Sequence, residues 1–281
     1  MCRNKVRFLI FVTKGAPRDK SPVPKELLWD GLKRNLMEEF GMRNMNSVTG
    51  EYGTVLSDRA LTILKKHKGD DKSLASVKMF LYDMLEPTAE RGDMLYRYEH
   101  SLRVAENGAL LAEREGLPRE ELVTGCLLHD VGYRECHKDE DFRRHQFISA
   151  DIAGIYLKNI GYEEEILQEI VKAIVYHNLT DQLPVDITTF QMSVRDCDDI
   201  DRFDMIRTAI IIGDCVREKN NTEIMELCRG EINKAKWVMS LKRGTKTAKE
   251  MMNAQCMKRI SLLEDIVKQA QKGFMAERTE Q

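Results

Sequence analysis

The stretch RYEHSLRVAENGALLAERE, residues 97–115, decides the fold of this 281-residue chain. His100, Val104 and Leu111 are separated by four and then seven positions, so a helix would carry them on one side. Apolar residues recur with the same spacing along most of the chain, and only six prolines are present to interrupt it. The sequence therefore predicts a mostly helical protein in which His100 points inward. The apolar stretch from Val6 to Thr13 is the exception, and it fits either a short strand or an apolar arm.

A second helix is predicted to end in CLLHDVGY, residues 126–133. Its spacing puts Leu122, Cys126 and His129 on one stripe, and Asp130 follows directly. Burying the Asp130 carboxylate is costly unless something neutralises it. A divalent metal would do so, and a structural His129–Asp130 hydrogen-bonded pair is the alternative.

Two more histidines occupy helix ends. His145 begins the amphipathic stretch HQFISADIAGIYLKNIGY, and His177 continues the stripe of Ile170 and Ile174 to the end of EEEILQEIVKAIVYHN. Either histidine alone could belong to the core. Four histidines and an aspartate at inner faces or helix ends are harder to explain by packing alone.

The acidic stretch SVRDCDDIDRFDM, residues 193–205, is the last of these elements. Crowded carboxylates repel one another unless they are solvated, cap a helix or bind cations. Asp198 and Asp201 lie three positions apart on one helical side, so one can bind metal while the other supports the site. Asp196 and Asp199 are expected to face solvent or to cap a helix.

The order of these motifs resembles the HD superfamily of metal-dependent phosphohydrolases over roughly residues 94–217. The matching pieces are RYEHSLRVA, LLHDVGY, HQFISADIA, VYHN and DCDDIDRFD. The resemblance implies an all-α HD-domain helical bundle, here with additional N- and C-terminal helices.

The resemblance also implies a ligand set for two divalent transition metals, drawn from Fe, Mn, Zn, Ni and Co. In this set Asp130 bridges the two metals. The implied ligands are His100, His129, Asp130, His145, His177 and Asp198. The implied catalytic residues are His129, Asp130 and Asp201, the last of them with a supporting role.

The set of six ligands is similar to that of bacterial diadenosine tetraphosphate hydrolases and of HD-GYP cyclic dinucleotide phosphodiesterases. Tyr133, however, stands where HD-GYP proteins carry a lysine, and Arg134 follows Gly132-Tyr133, so the GYP signature is absent. These departures argue against cleavage of cyclic dinucleotides.

We therefore expect hydrolysis of a nucleotide or a small phosphorylated metabolite by a metal-bound hydroxide, because two cations about 4 Å apart can generate one near neutral pH. Arg103, Arg144 and Arg202 flank the expected ligands and are candidates to bind the substrate phosphate. Two alternatives stay open: a mixed-valence diiron oxygenase with the same ligands, and a non-catalytic nucleotide-binding HD module.

The domain prediction is a helical extension over residues 1–90, a metal-binding core over 91–220 and C-terminal helices over 221–281 packed on that core. His67, in a polar stretch, is expected to be solvated. The 44 basic and 46 acidic residues nearly cancel, so neither nucleic acid nor a membrane is an expected partner. Seven cysteines without a CxxC pair and the lack of a spanning segment predict free thiols in the cytoplasm. Self-association is left open.

Overall fold

The computed structural model of the protein describes residues 52–179 and 183–277, and this part of the chain is all-α with no strand. The all-α prediction is confirmed. The expected strand or arm at residues 6–13 and an expected helix near residues 25–40 lie outside the described residues. None of the described helices combines the length and hydropathy that crossing a membrane requires.

Eleven α-helices are described, and two single-turn 3₁₀ helices, Ala89–Arg91 and Tyr133–Glu135, lie between them. The α-helices are α1 (Asp58–Lys66), α2 (Leu74–Leu85), α3 (Gly92–Glu115), α4 (Arg119–Leu128), α5 (Asp139–Arg143), α6 (His145–Asn159), α7 (Glu164–Tyr176), α8 (Thr189–Arg202), α9 (Met205–Val216), α10 (Asn221–Ser240) and α11 (Lys246–Glu277).

Helix α4 lies at the centre of the bundle, where α2, α3, α7 and α8 all contact it. Its residues from Leu122 to Leu128 are buried without exception, because the helix is apolar around its whole circumference. Gly125 lets Val194 of α8 approach closely, since a Cβ at that glycine would lie 3.1 Å from a methyl group of Val194. The end of α4 therefore delivers His129 and Asp130 to the middle of the protein.

The two C-terminal helices, α10 and α11, form an antiparallel hairpin that packs on α8. Apolar periodicity in the sequence predicts two helices at 222–241 and 246–274, and the observed bounds agree closely with them. Ile200 of α8 and Phe203, which follows its end, join Cys228, Ala235 and Met252 of the hairpin in one apolar cluster. The same periodicity places Trp237 on the apolar side of α10, but its side chain is exposed.

Asp196 and Asp199 do not fit the expectation that both face solvent or cap a helix. Asp196 is fully buried, and Arg243, in the loop between α10 and α11, lies 3.2 Å from Asp196 Oδ1 and 2.6 Å from Asp199 Oδ2. The backbone N–H of Gly244 also donates to Asp196 Oδ2. Burial raises the pKa of Asp196 to about 6, although Gly244 and Arg243 act in the opposite direction. Sequence alone could not have shown this because Arg243 is 44 or more positions away.

The expectation that His67 is solvated is wrong. Its ring is buried at the end of α1, with Nδ1 2.6 Å from Asp70 Oδ2 and Nε2 2.7 Å from Asp83 Oδ2. Its ring also meets Phe80 edge-on. The polar sequence around His67 did not indicate that its ring is buried. The two carboxylates that accept its hydrogen bonds come from a turn and from the next helix, which the local sequence does not show.

Replacing Arg243 tests whether the C-terminal hairpin is clamped to α8 by this buried ion pair. We expect Arg243→Met to lower the free energy of unfolding by about 3–5 kcal/mol, because it leaves the Asp196 carboxylate buried beside Asp199 without its cation. Lys242→Met, at the exposed neighbouring position, should change it by less than about 0.5 kcal/mol. Chemical denaturation of both variants would measure this, and equal stabilities would contradict the clamp.

Candidate metal centre

Four histidine side chains are oriented by hydrogen bonds at Nδ1, so that each presents Nε2 to one shared space. In three of them Nδ1 donates to the backbone carbonyl three residues earlier, which fixes the tautomer with the proton on Nδ1. These pairs are His129 with Cys126 at 2.7 Å, His145 with Phe142 at 2.8 Å, and His177 with Ile174 at 2.6 Å. The fourth, His100, donates Nδ1 to Asp201 Oδ2 at 2.6 Å.

The Nε2 atoms meet in two close pairs. His100 and His129 approach to 3.2 Å between their Nε2 atoms, and so do His145 and His177. With Nδ1 of His145 and His177 donating to carbonyls, their two Nε2 lone pairs face each other with no hydrogen between them. Such an arrangement is unfavourable unless a proton or a cation lies between the nitrogens.

Asp130 lies between the two pairs, with one oxygen toward each. Its Oδ1 is 3.2 Å from His145 Nε2 and 3.7 Å from His177 Nε2. Its Oδ2 is 3.6 Å from His129 Nε2 and 3.9 Å from His100 Nε2. Oδ1 is buried and has no hydrogen-bond partner among the residues that the structure describes. The carboxylate is thus positioned to share its oxygens between two groups of imidazoles.

Asp198 completes the group around His100 and His129. Its Oδ1 lies 3.1 Å from His100 Nε2 and 3.8 Å from His129 Nε2. The structure therefore brings all six expected ligands together. Within the described residues, three overlapping sets have ligand atoms within 4.8 Å of one another: His100, His129 and Asp130; His129, His177 and Asp198; and Asp130, His145 and His177.

The donor set fits divalent transition metals, because imidazole nitrogens and carboxylate oxygens are the ligands that such ions accept. The unpartnered Asp130 Oδ1 and the facing Nε2 lone pairs are the two features that a cation would satisfy. That these residues bind metal stays a prediction.

Asp201 lies behind His100 rather than in the shared space. Its Oδ2 accepts from His100 Nδ1, and its Oδ1 accepts from Arg103 Nε at 2.7 Å. This geometry suits the supporting role that was expected and gives Asp201 no contact with the space between the imidazoles. Arg103, an expected phosphate ligand, is engaged with Asp201 through Nε and also lies 3.3 Å from Oδ2 through a terminal nitrogen.

Burial and neighbouring charges move the pKa values of His100, His129 and His177 in two directions. Burial lowers the pKa of His177 to about 3, and its neighbours His129 and His145 act in the same direction. Burial also lowers the pKa of His129. Burial opposes protonation of His100 too, but hydrogen bonds to Asp198 and Asp201 outweigh it and raise its pKa to about 9. At neutral pH His129 and His177 therefore offer lone pairs, whereas His100 holds a proton.

Arg97 is a residue of this site that the sequence reasoning missed. One terminal nitrogen donates to Asp130 Oδ2 at 2.9 Å and the other to the Tyr133 hydroxyl at 2.7 Å. Its guanidinium also stacks 3.6 Å from the centre of the Tyr133 ring. The available signal was its position three residues before His100, which puts both side chains on the same face of α3.

The other two expected phosphate ligands differ in position. Arg202 lies 3.5 Å from Asp198 Oδ2 and its side chain is 43% exposed, so it borders the centre and stays accessible. Arg144 instead packs over the ring of Phe147, and burial lowers its pKa. Glu135, which follows Tyr133 by two positions, is paired with Arg59 at 3.1 Å.

Gly132 allows the loop after Asp130 to lie against α6. Its N–H donates to the Ser149 hydroxyl, and a Cβ at this glycine would lie 2.7 Å from the backbone nitrogen of Ser149. Such a contact is shorter than a side chain tolerates, so alanine would push the loop away from α6.

We therefore expect Gly132→Ala to lower the free energy of unfolding by about 1–3 kcal/mol, as overpacking in a core does. Gly230→Ala is the matched control, because a Cβ at Gly230 in α10 would meet nothing within 4 Å. The control should stabilise the protein by about 0.5–1 kcal/mol, since alanine favours a helix interior over glycine. Thermal unfolding followed by circular dichroism measures both, and an unchanged Gly132→Ala would refute the close approach.

Comparison with known proteins agrees with the geometry of this centre. The family described as "HD domain" matches residues 97–206, which carry all six expected ligands and lie inside the expected core of 91–220. No curated protein matches the chain. A solved structure of a predicted HD superfamily hydrolase from an uncultured Thermotogales bacterium is 20% identical, and the alignment covers 78% of this chain and 90% of the other at a TM-score of 0.40. Residues 97–206 are thus identified as an HD domain by this family match.

Proposed function

We propose that the protein is a metal-dependent phosphohydrolase that acts on a nucleotide or a small phosphorylated metabolite. The observation that carries the proposal is the pair of Nε2 to Nε2 contacts at 3.2 Å on either side of the unpartnered Asp130 Oδ1. When bound there, two cations would activate water near neutral pH and stabilise the oxygens of a displacement at phosphorus.

In this proposal His100, His129, Asp130 and Asp198 would hold one cation, and Asp130, His145 and His177 would hold the other. Asp201 is a positioning residue, because it acts on the centre through Nδ1 of His100. The Nδ1 hydrogen bonds of the other three imidazoles keep Nε2 aimed inward without rearrangement, which favours a preorganised site.

The surroundings of the centre suit an anionic substrate. Arg202 is accessible beside Asp198, and its planar guanidinium can meet two phosphate oxygens together. Arg97 lies against Asp130 and Tyr133, with its side chain 23% exposed. We assign phosphate binding to Arg202 and charge balance at Asp130 to Arg97. The bond of Arg103 to Asp201 and the position of Arg144 over the Phe147 ring argue against assigning either of them to substrate.

The first test compares wild type with Asp130→Asn, both purified without oxygen. We expect about two metal ions per wild-type chain and phosphate release from at least one nucleotide or phosphate monoester with Mn²⁺ or Fe²⁺. Asp130→Asn should lose most of the metal and at least about 100-fold in turnover, because the shared carboxylate is removed. Elemental analysis and phosphate assay on the same samples measure both.

Asp265→Asn, at an exposed position on α11, is the control and should behave as wild type. Wild type that is folded, free of metal and inactive while still binding nucleotide would overturn the proposal in favour of a binding module. Consumption of dioxygen by an iron-loaded sample without phosphate release would overturn it in favour of the diiron oxygenase.

The proton on His100 gives a second test, because a metal at Nε2 must displace it. In the metal-free protein His100 is protonated below a pKa of about 9. Metal affinity should therefore rise with pH up to about 9, by roughly tenfold per pH unit for one displaced proton. Calorimetric titration with Mn²⁺ in buffers of different ionisation enthalpy measures the number of protons released.

Asp201→Asn should lower the pKa of His100, because it removes one of the two carboxylates that hold the imidazolium charge. Proton release at pH 7.5 should then fall, and the affinity should level off at a lower pH. Glu99→Gln, the exposed neighbour on α3, is the control and should release as many protons as wild type. If Asp201→Asn released as many protons on metal binding as wild type, His100 would not be the source of the displaced proton.

A further inference from the structure

Helix α9 has an apolar sequence but buries only Thr208. Four of its large apolar side chains are exposed, with Met205 at 39%, Ile206 at 49%, Ile210 at 38% and Val216 at 56%. Helical periodicity gathers these four with Ala209 and Gly213 on one side of the helix, which we call the α9 face. An exposed apolar surface of this kind marks an interaction site.

The opposite side of α9 is firmly attached to the rest of the protein. The Thr208 hydroxyl accepts from Nε of the buried Arg259 at 2.8 Å, and Asp204 caps the helix by accepting from the N–H of Arg207. At the edge between this side and the α9 face, a terminal nitrogen of Arg207 donates to the Tyr96 hydroxyl at 3.1 Å. The helix is therefore held in place while its apolar face points away from the domain.

We infer that the partner of the α9 face is the same face of a second copy of this chain, with the two helices antiparallel. The sequence of α9 is self-complementary about a point between Ile210 and Ile211. At equal distances from that point, Met205 lies opposite the partner's Val216 and Arg207 lies opposite the partner's Asp214. Apolar residues thus meet apolar residues, and each basic residue meets an acidic one.

The two pairs also lie on the correct edges of the face. Arg207 and Asp214 are seven positions apart, close to two turns, so they share one edge of the helix. Met205 and Val216 are eleven positions apart, close to three turns, so they share the other. In a twofold antiparallel pair each edge meets the same edge of the partner, so all four contacts form at once. A parallel twofold pair would instead bring each edge against the opposite edge of the partner, so Arg207 and Asp214 would face Met205 and Val216 and the charges would stay unpaired.

The middle of the face permits the helices to approach. Ala209 and Gly213 are small, and a Cβ at Gly213 would meet nothing within 4 Å. One pair of short helices buries less than the roughly 800 Å² per partner of a standard interface, so we expect a reversible dimer with a Kd on the order of 10 µM. The interface adjoins the candidate metal centre, because Arg207 contacts Tyr96 and the Tyr96 ring stacks 6.0 Å from that of His100.

Charge reversal with complementation tests this dimer. In a dimer of Asp214→Arg, both contacts between positions 207 and 214 would pair two arginines. In a dimer of Arg207→Asp, both contacts would pair two aspartates. Each variant alone should weaken self-association at least about tenfold in sedimentation velocity. Mixing the two in equal amounts restores an opposite charge at all four positions, so the mixture should form a heterodimer about as tightly as wild type. The double variant Arg207→Asp/Asp214→Arg should also dimerise.

Glu226→Arg, an equal change of charge at an exposed position of α10, is the control and should leave the dimer intact. A wild-type chain that stays monomeric at concentrations well above 10 µM would overturn the inference. So would a dimer that Asp214→Arg leaves unchanged, or a mixture that stays monomeric although both variants are folded by circular dichroism. If Arg207→Asp does not fold, Asp214→Arg alone decides. None of these measurements requires metal or turnover, so their failure would leave the proposed hydrolase untouched.

Discussion

The mutual approach of four imidazole Nε2 atoms around one buried carboxylate is the constraint on which the structure depends. The 3.2 Å contact between the Nε2 atoms of His145 and His177 brings two lone pairs together, and these would repel if the helices were free to move apart. The close approaches persist because each Nδ1 is tied to a carbonyl or carboxylate oxygen, and because α4 is enclosed by the helices that carry the other ligands. The packing of the helices around α4 thus offsets the repulsion between the Nε2 lone pairs of His145 and His177.

Helix α8 connects this centre to the C-terminal hairpin because its carboxylates point in two directions. Asp198 and Asp201 face the imidazoles, while Asp196 and Asp199 face Arg243. Each pair has a cation of its own, so the acidic stretch folds without the repulsion that its sequence suggests. The hairpin therefore helps to hold α8, and with it Asp198 and Asp201, in position. Loss of Arg243 would remove the cation that contacts Asp196 and Asp199 of α8.

Sequence periodicity was sufficient to predict the helices that carry the expected ligands, because an amphipathic pattern depends only on near neighbours. It did not predict the short helix Asp139–Arg143 or helix α9. The same periodicity also predicted that the four histidines lie on inner faces or at helix ends. It did not reveal the partners of His67 or Asp196, because burial of a charged residue depends on cations and donors from distant elements. Arg97 was missed for a different reason: an arginine beside a predicted ligand is usually solvated, and its bond to Asp130 arises only when α3 and α4 meet.

The balance of donors and acceptors explains why a cation suits the centre better than a proton. On the outer side, Arg97 and Arg103 already donate to Asp130 and Asp201. On the inner side, the proton of His100 can satisfy the oxygen of Asp198 that faces it, but within the described part of the chain no donor reaches Asp130 Oδ1. The Nε2 atoms of His145 and His177 and the Oδ1 of Asp130 remain as acceptors that converge without a hydrogen. A single ion that accepts several lone pairs at once resolves all of these conflicts together, which a hydrogen bond between two atoms cannot do.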